Sequence, residues 1–130
     1  MTPTRPYIAL VDDEAPVCVA LSRLLRLGGY EPGAFSSGEA FLESLQIRRP
    51  AGLILDVQLP GMSGFEVRTR LREAGENIPI VFITASENVG LSSVRAETGV
   101  RLLRKPFSNA TLLDAIGAAL DRRPQADYGN

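Results

Sequence analysis

Histidine and tryptophan are both absent from the 130 residues, and cysteine occurs once. Without imidazole there is no Ser-His or Cys-His nucleophile pair, no histidine metal ligand and no side chain that ordinarily titrates near neutrality. The single Cys18 cannot close an internal disulfide, and its apolar-periodic surroundings give it the role of a small buried hydrophobe. Any chemistry must rest on carboxylates, hydroxyls, lysine and a metal. A dominant charge is missing too. Fourteen basic against 15 acidic residues leave a formal net charge of −1, so no broad field favours nucleic acid or an anionic membrane. No apolar run approaches the length that spans a bilayer, and no basic leader with an apolar stretch opens the chain. The expectation is a cytoplasmic protein with no membrane partner and no direct nucleic-acid binding, and a length that suits one domain with its own core.

What is present is an alternation. "YIALV" (7–11) reads as a short buried strand that stops at Asp12 and Asp13. A helix follows, with Pro16 in its first turn, Val17, Cys18, Leu21, Leu24 and Leu25 at helical spacing, and Gly28 and Gly29 at its end. "YEPGAF" is a weak strand, because Pro32 and Gly33 disfavour a ladder interior, so a short edge position is expected. Ser36 and Glu39 have capping-box spacing ahead of a second helix that turns Phe41, Leu42 and Leu45 inward. "AGLILDV" is a third strand, followed by a Pro-Gly turn served by Gly61 and Gly64. A helix over 64–74 then buries Phe65, Val67 and Leu71. "IPIVFITAS", apolar on both faces, suits a central parallel strand. "ENVGLSSVRAETG" is the poorest helix pattern, with little stripe to bury, and reads as a short or mobile element. "VRLLRK" is the last strand, and Ser108 caps a final helix through Leu112, Leu113, Ile116 and Leu120. Residues 1–6 form a lead, 7–121 the domain and 122–130 a polar tail or the start of a linker. Five strand–helix alternations predict a doubly wound α/β fold: a five-stranded parallel sheet with helices on both faces and right-handed crossovers.

Sites in such sheets form beyond the carboxyl ends of the strands. There the chain has Asp12 and Asp13 after the first strand, Asp56 after the third, Thr84 near the end of the fourth and Lys105 after the fifth. Three carboxylates at one rim repel one another unless a cation sits among them, and an oxygen donor set suits Mg²⁺. With Asp13 and Asp56 holding the ion, a remaining Asp56 oxygen is free to attack phosphorus and form an aspartyl phosphate. Lys105 and the metal would meet the developing charge, and Thr84 would donate a hydrogen bond. Each residue alone has a blander reading: a helix N-terminal acid pair, an Asx-turn acid, a β-forming threonine, a solvated lysine. It is their joint placement that points to chemistry.

"LVDDE" (10–14), "LDVQLPGMSGFE" (55–66), "FITAS" (82–86) and "RKPF" (104–107) occur in order on the expected strands. Over about residues 7–120 the chain thereby resembles the receiver domain of two-component response regulators, with a flavodoxin-like fold. The resemblance implies that Asp56 is the phosphoacceptor, that Asp13 binds Mg²⁺ directly and Asp12 through water, and that the Gln58 carbonyl is a further ligand. Thr84 and Lys105 would contact the phosphoryl group, Gln58 and Ser86 would tune phosphate lifetime, and the peptide before Pro106 would be cis. The implied donor is a sensor histidine kinase or phosphotransfer protein. A homodimer on phosphorylation and a helix-turn-helix output domain outside this chain are further implications, the latter from "LLRKPF". The protein would then be a phosphorylated switch that catalyses only its own phosphotransfer and dephosphorylation, rather than a metabolic enzyme.

Two departures concern the readout. Leu102 stands where the family usually has an aromatic switch partner of Thr84, and the segment from Thr84 to Lys105 is about one residue shorter than usual. The expectation is that phosphorylation orders or shifts residues 87–104 instead of flipping a ring. Two alternatives stay open: an interaction module of the same fold that signals without phosphate, and a magnesium phosphohydrolase. The second lacks the Asp-x-Asp-x-Thr signature of dehalogenase-like enzymes.

Overall fold

The computed structural model describes residues 5–85 and 100–121. Five strands form one sheet: β1 (Tyr7–Val11), β2 (Glu31–Phe35), β3 (Gly52–Asp56), β4 (Ile80–Thr84) and β5 (Val100–Arg104). Four helices are described: α1 (Ala15–Leu27), α2 (Gly38–Ser44), α3 (Gly64–Glu73) and α4 (Asn109–Leu120). All four strand pairings are parallel, in the order β2-β1-β3-β4-β5. The expected fourth helix pattern at 87–99 lies outside the described residues, as do Ser86 and the tail.

The central strands β1, β3 and β4 are apolar almost throughout because each faces two cores. Ile8 and Leu10 of β1, Ile54 of β3, and Val81 and Ile83 of β4 pack with Leu21, Leu24 and Leu25 of α1 and with Leu112 and Ile116 of α4. Their alternating neighbours Ala9, Val11, Leu53, Leu55 and Phe82 pack instead with Phe41 of α2 and with Val67 and Leu71 of α3. A side-chain period of two puts neighbours on opposite faces. Where both faces are covered, amphipathic alternation vanishes into a continuous hydrophobic run.

Edge position suits β2, as its proline and glycine require. Gly33 leaves room for the Tyr7 ring; a methyl at position 33 would sit 2.5 Å from Tyr7 Cε1. Arg48 stacks on that ring, 4.1 Å from its centroid, and forms a two-pronged ion pair with Glu31 at 2.8 and 2.9 Å. The expected capping box at Ser36 and Glu39 is not formed. Ser37 is the cap, its hydroxyl accepting from Ala40 N at 3.1 Å, because α2 begins one residue later and puts alanine, not glutamate, at the third helical position. The capping box forms instead on α3, where Ser63 Oγ accepts from Glu66 N and Glu66 Oε1 accepts from Ser63 N. In α2, Phe41 is fully buried, while Leu42 and Leu45 are only half-buried against the same core. Phe65 is likewise half-buried, its ring edge-on to Phe82 at 5.1 Å between centroids.

Candidate functional site

The sheet order reverses at β1, which has β2 on one side and β3 on the other. Between the carboxyl ends of β1 and β3 the crossovers leave in opposite directions and open a crevice, where α/β sheets take their ligands. The acids arrive there by register. Val11 pairs with Leu55, so Asp12 and Asp56 continue neighbouring strands at the same height. Among the described residues, Asp12, Asp13 and Asp56 offer carboxylate oxygens that all lie within 4.8 Å of one another.

Two of these acids are buried. Asp12 is wholly inaccessible and Asp56 is 5 % exposed, whereas Asp13 is exposed. Burial of charge is costly unless it is answered, and the answers are on hand. Lys105 Nζ donates to Asp12 Oδ2 at 3.2 Å and lies 3.7 Å from Asp56 Oδ2. Asp12 Oδ1 accepts from Glu14 N at 2.9 Å, and Asp56 Oδ1 accepts from Gln58 N at 3.1 Å. Cys18 reaches the cluster from α1, its thiol donating to the Asp12 carbonyl oxygen at 3.2 Å. Burial, and next the charge of Asp12, push that thiol up from its ordinary value, which favours the thiol over the thiolate.

Burial also raises Asp56, to about 6. The Gln58 N–H and Lys105 pull it down, and the charges of Asp12 and Asp13 push it further up. Burial pulls Lys105 down, but its hydrogen bond to Asp12 and the nearness of Asp56 more than offset this, and the ammonium sits above the ordinary lysine value. The single charge of Lys105 does not by itself balance the three acids it faces. An all-oxygen donor set of this span fits a hard divalent ion.

Thr84 is fully buried at the end of β4, and its carbonyl accepts from Lys105 N at 2.8 Å. The threonine and the lysine are thus fixed to each other through the backbone. The Lys105–Pro106 peptide is cis. Leu102 is half-buried on the face shared with Phe82, its register partner on β4. Gln58 is exposed on the loop after Asp56.

Residues 8–117 match the family model of the response regulator receiver domain. The chain belongs to the response regulator receiver family. The response regulator protein TodT of Pseudomonas putida is 39 % identical over 126 residues, 96 % of this chain and 56 % of that protein. Nodulation protein W of Bradyrhizobium diazoefficiens is 38 % identical over 121 residues, 92 % of this chain and 53 % of that protein. The chain spans about half the length of these relatives. Among solved structures, a response regulator receiver protein from Burkholderia phymatum is 38 % identical with a TM-score of 0.77, covering 92 % of this chain and 98 % of the other. FixJ-N is 30 % identical with a TM-score of 0.81, covering 93 % and 98 %. This receiver domain therefore has the flavodoxin-like receiver fold and the function of a phosphoacceptor in two-component signal transduction. Among its described residues no helix is long and apolar enough to cross a membrane.

Sequence reading passed over one residue of this receiver's site. Gly64 stands in the expected turn, which its N–H closes onto Val57 O at 2.9 Å, but its φ, unlike that of Gly61 at 74°, is not positive. It opens α3 against the peptide that follows Asp56. The signal for the adjoining capping box, Ser-x-x-Glu at 63–66, stood in plain view.

Proposed function

We propose that Asp56 is the phosphoacceptor of this receiver, taking its phosphoryl group from a sensor histidine kinase or phosphotransfer protein. Asp13 and Asp56, Asp12 through water, and the Gln58 carbonyl would hold Mg²⁺, which supplies charge neutralisation for the transferring group. The observation that carries this reading is the convergence of Asp12, Asp13, Asp56 and Lys105 at one crevice, with the Lys105 ammonium set between Asp12 and Asp56.

In the transfer, an Asp56 oxygen attacks phosphorus and a new P–O bond forms as the donor's P–N bond breaks, its electron pair leaving on the imidazole nitrogen. Lys105 is already within 3.7 Å of Asp56 Oδ2, a distance from which its ammonium can turn to a phosphoryl oxygen. The Gln58 N–H fixes the carboxylate's rotation through Oδ1, and the Thr84 hydroxyl donates to the phosphoryl group. Gln58 and Ser86 tune access of the water that later hydrolyses the acyl phosphate. The domain comprises residues 7–121 of a cytoplasmic switch that controls an output, a helix-turn-helix domain beyond this chain or a homodimer formed on phosphorylation.

Intact mass spectrometry after incubation with acetyl phosphate and Mg²⁺ tests the assignment. The expected result is one phosphoryl mass gained by the wild type and none by Asp56→Asn. An unmodified wild type would favour the phosphate-independent interaction module, and a gain retained by Asp56→Asn would move the acceptor elsewhere.

A further inference from the structure

Gly64 is buried at the first turn of α3. A methyl group there would lie 2.9 Å from Val57 Cα and 3.1 Å from the Asp56 carbonyl carbon, and closer still to the Asp56 carbonyl oxygen. Those neighbours are backbone, which cannot swing aside as a side-chain tip can. The glycine is not needed for its conformational range, since its φ is not positive. It is needed for space, because α3 begins in direct contact with the peptide on which Asp56 is hung.

Two further features hold the helix end in that position. Gly64 N donates to Val57 O at 2.9 Å, closing the loop that leaves Asp56. The Ser63–Glu66 capping box fixes the residues on either side. The loop also carries Gln58, whose N–H holds Asp56 Oδ1. Resting on the assignment of Asp56 as acceptor, we infer that Gly64 is a positioning residue. By seating α3 against the Asp56–Val57 peptide, it fixes where the acceptor carboxylate stands relative to Asp12, Asp13 and Lys105.

Gly38 provides the contrast. It is buried at the start of α2, and a methyl there would meet the Val67 side chain, with Met62 Sδ at 3.6 Å. That clash lies between helices and can be relieved by trimming Val67. At position 64 there is no side chain to trim.

The test measures acetyl phosphate phosphorylation rates, Mg²⁺ half-saturation and thermal unfolding on the full chain. The variants are Gly64→Ala, Ser63→Ala, Gly38→Ala and the Gly38→Ala/Val67→Ala pair. Gly64→Ala is expected to lower the maximal rate at least 10-fold and raise Mg²⁺ half-saturation, at temperatures where it remains cooperatively folded. Ser63→Ala should move both the same way by a few-fold. Gly38→Ala should lower the unfolding temperature, regain it in the pair, and keep rate and Mg²⁺ response within twofold of wild type. A folded Gly64→Ala with wild-type rate and Mg²⁺ response overturns the inference, and so do rates that merely track the unfolding temperature across all variants. If Gly64→Ala does not fold, Ser63→Ala decides: a lowered rate supports the inference and a wild-type rate overturns it. Absence of phosphorylation in the wild type would instead overturn the assignment of Asp56.

Discussion

Asp56 is held in a state it would not choose. Its carboxyl titrates at about 6, so between its ordinary value of 3.8 and that point the folded protein keeps a proton that the unfolded chain has released. Stability from this group is therefore full below about pH 4, falls as pH rises through 6, and stays lost above. The loss amounts to about 3 kcal/mol at most. Without divalent ions, Asp56→Asn is expected to be the more stable protein at pH 7, by about 1–3 kcal/mol, and to lose most of the decline between pH 4 and 7. Thermal melts across that range measure both. Mg²⁺ should reverse the sign, since its ligands must be deprotonated and a ligand stabilises the state it binds. The rise in unfolding temperature at saturating Mg²⁺ is expected to be larger at pH 7.5 than at pH 5, and an equal rise at both would contradict a site built from these acids. The acids were legible from the sequence because each ends an apolar strand, where a charge is conspicuous. The Lys105–Asp12 pair was not, because the partners are 93 residues apart and their pairing depends on the order of the strands.

At the scale of elements, the sequence gives a good account of what repeats and a poor one of what hinges on a single residue. Helix α1 follows its apolar spacing closely, from Pro16 to the glycines at its end. In α2 two adjacent serines compete for the cap, and the choice depends on where β2 releases the chain. Ser37→Ala is therefore expected to cost about 1 kcal/mol, and Ser36→Ala close to nothing, in urea unfolding. The edge strand carries a similar distinction. Gly33→Ala should cost about 1–3 kcal/mol by overpacking against the Tyr7 ring, and much less in a Tyr7→Ala background, a coupling that a double-mutant cycle reads directly. Glycines were recognised as breakers, but those that make room (Gly33, Gly38 and Gly64) are invisible to local patterns. What they admit comes from another element.

For the molecule as a whole, the sheet separates the work of its two faces. The α1/α4 face has buried residues that are all aliphatic, Leu25 and Leu112 fully buried, with Tyr30 and Phe107 packed at its margin. The α2/α3 face carries the ring contacts Phe35–Phe41 and Phe65–Phe82, and Leu102 lies beside Phe82. Aliphatic Leu102 has no planar ring whose rotation could report on Thr84, so a response to phosphate has to travel through backbone and packing. Amide exchange with and without beryllofluoride is expected to differ chiefly over residues 87–104, and identical protection there would exclude that route. Lys105 shows how such a change reaches the periphery. It follows the outermost strand, yet its ammonium grasps an acid at the end of β1, three strand spacings or roughly 14 Å inward. It works as a drawstring across the sheet's upper rim, so whatever draws the ammonium from Asp12 pulls first on the outermost strand.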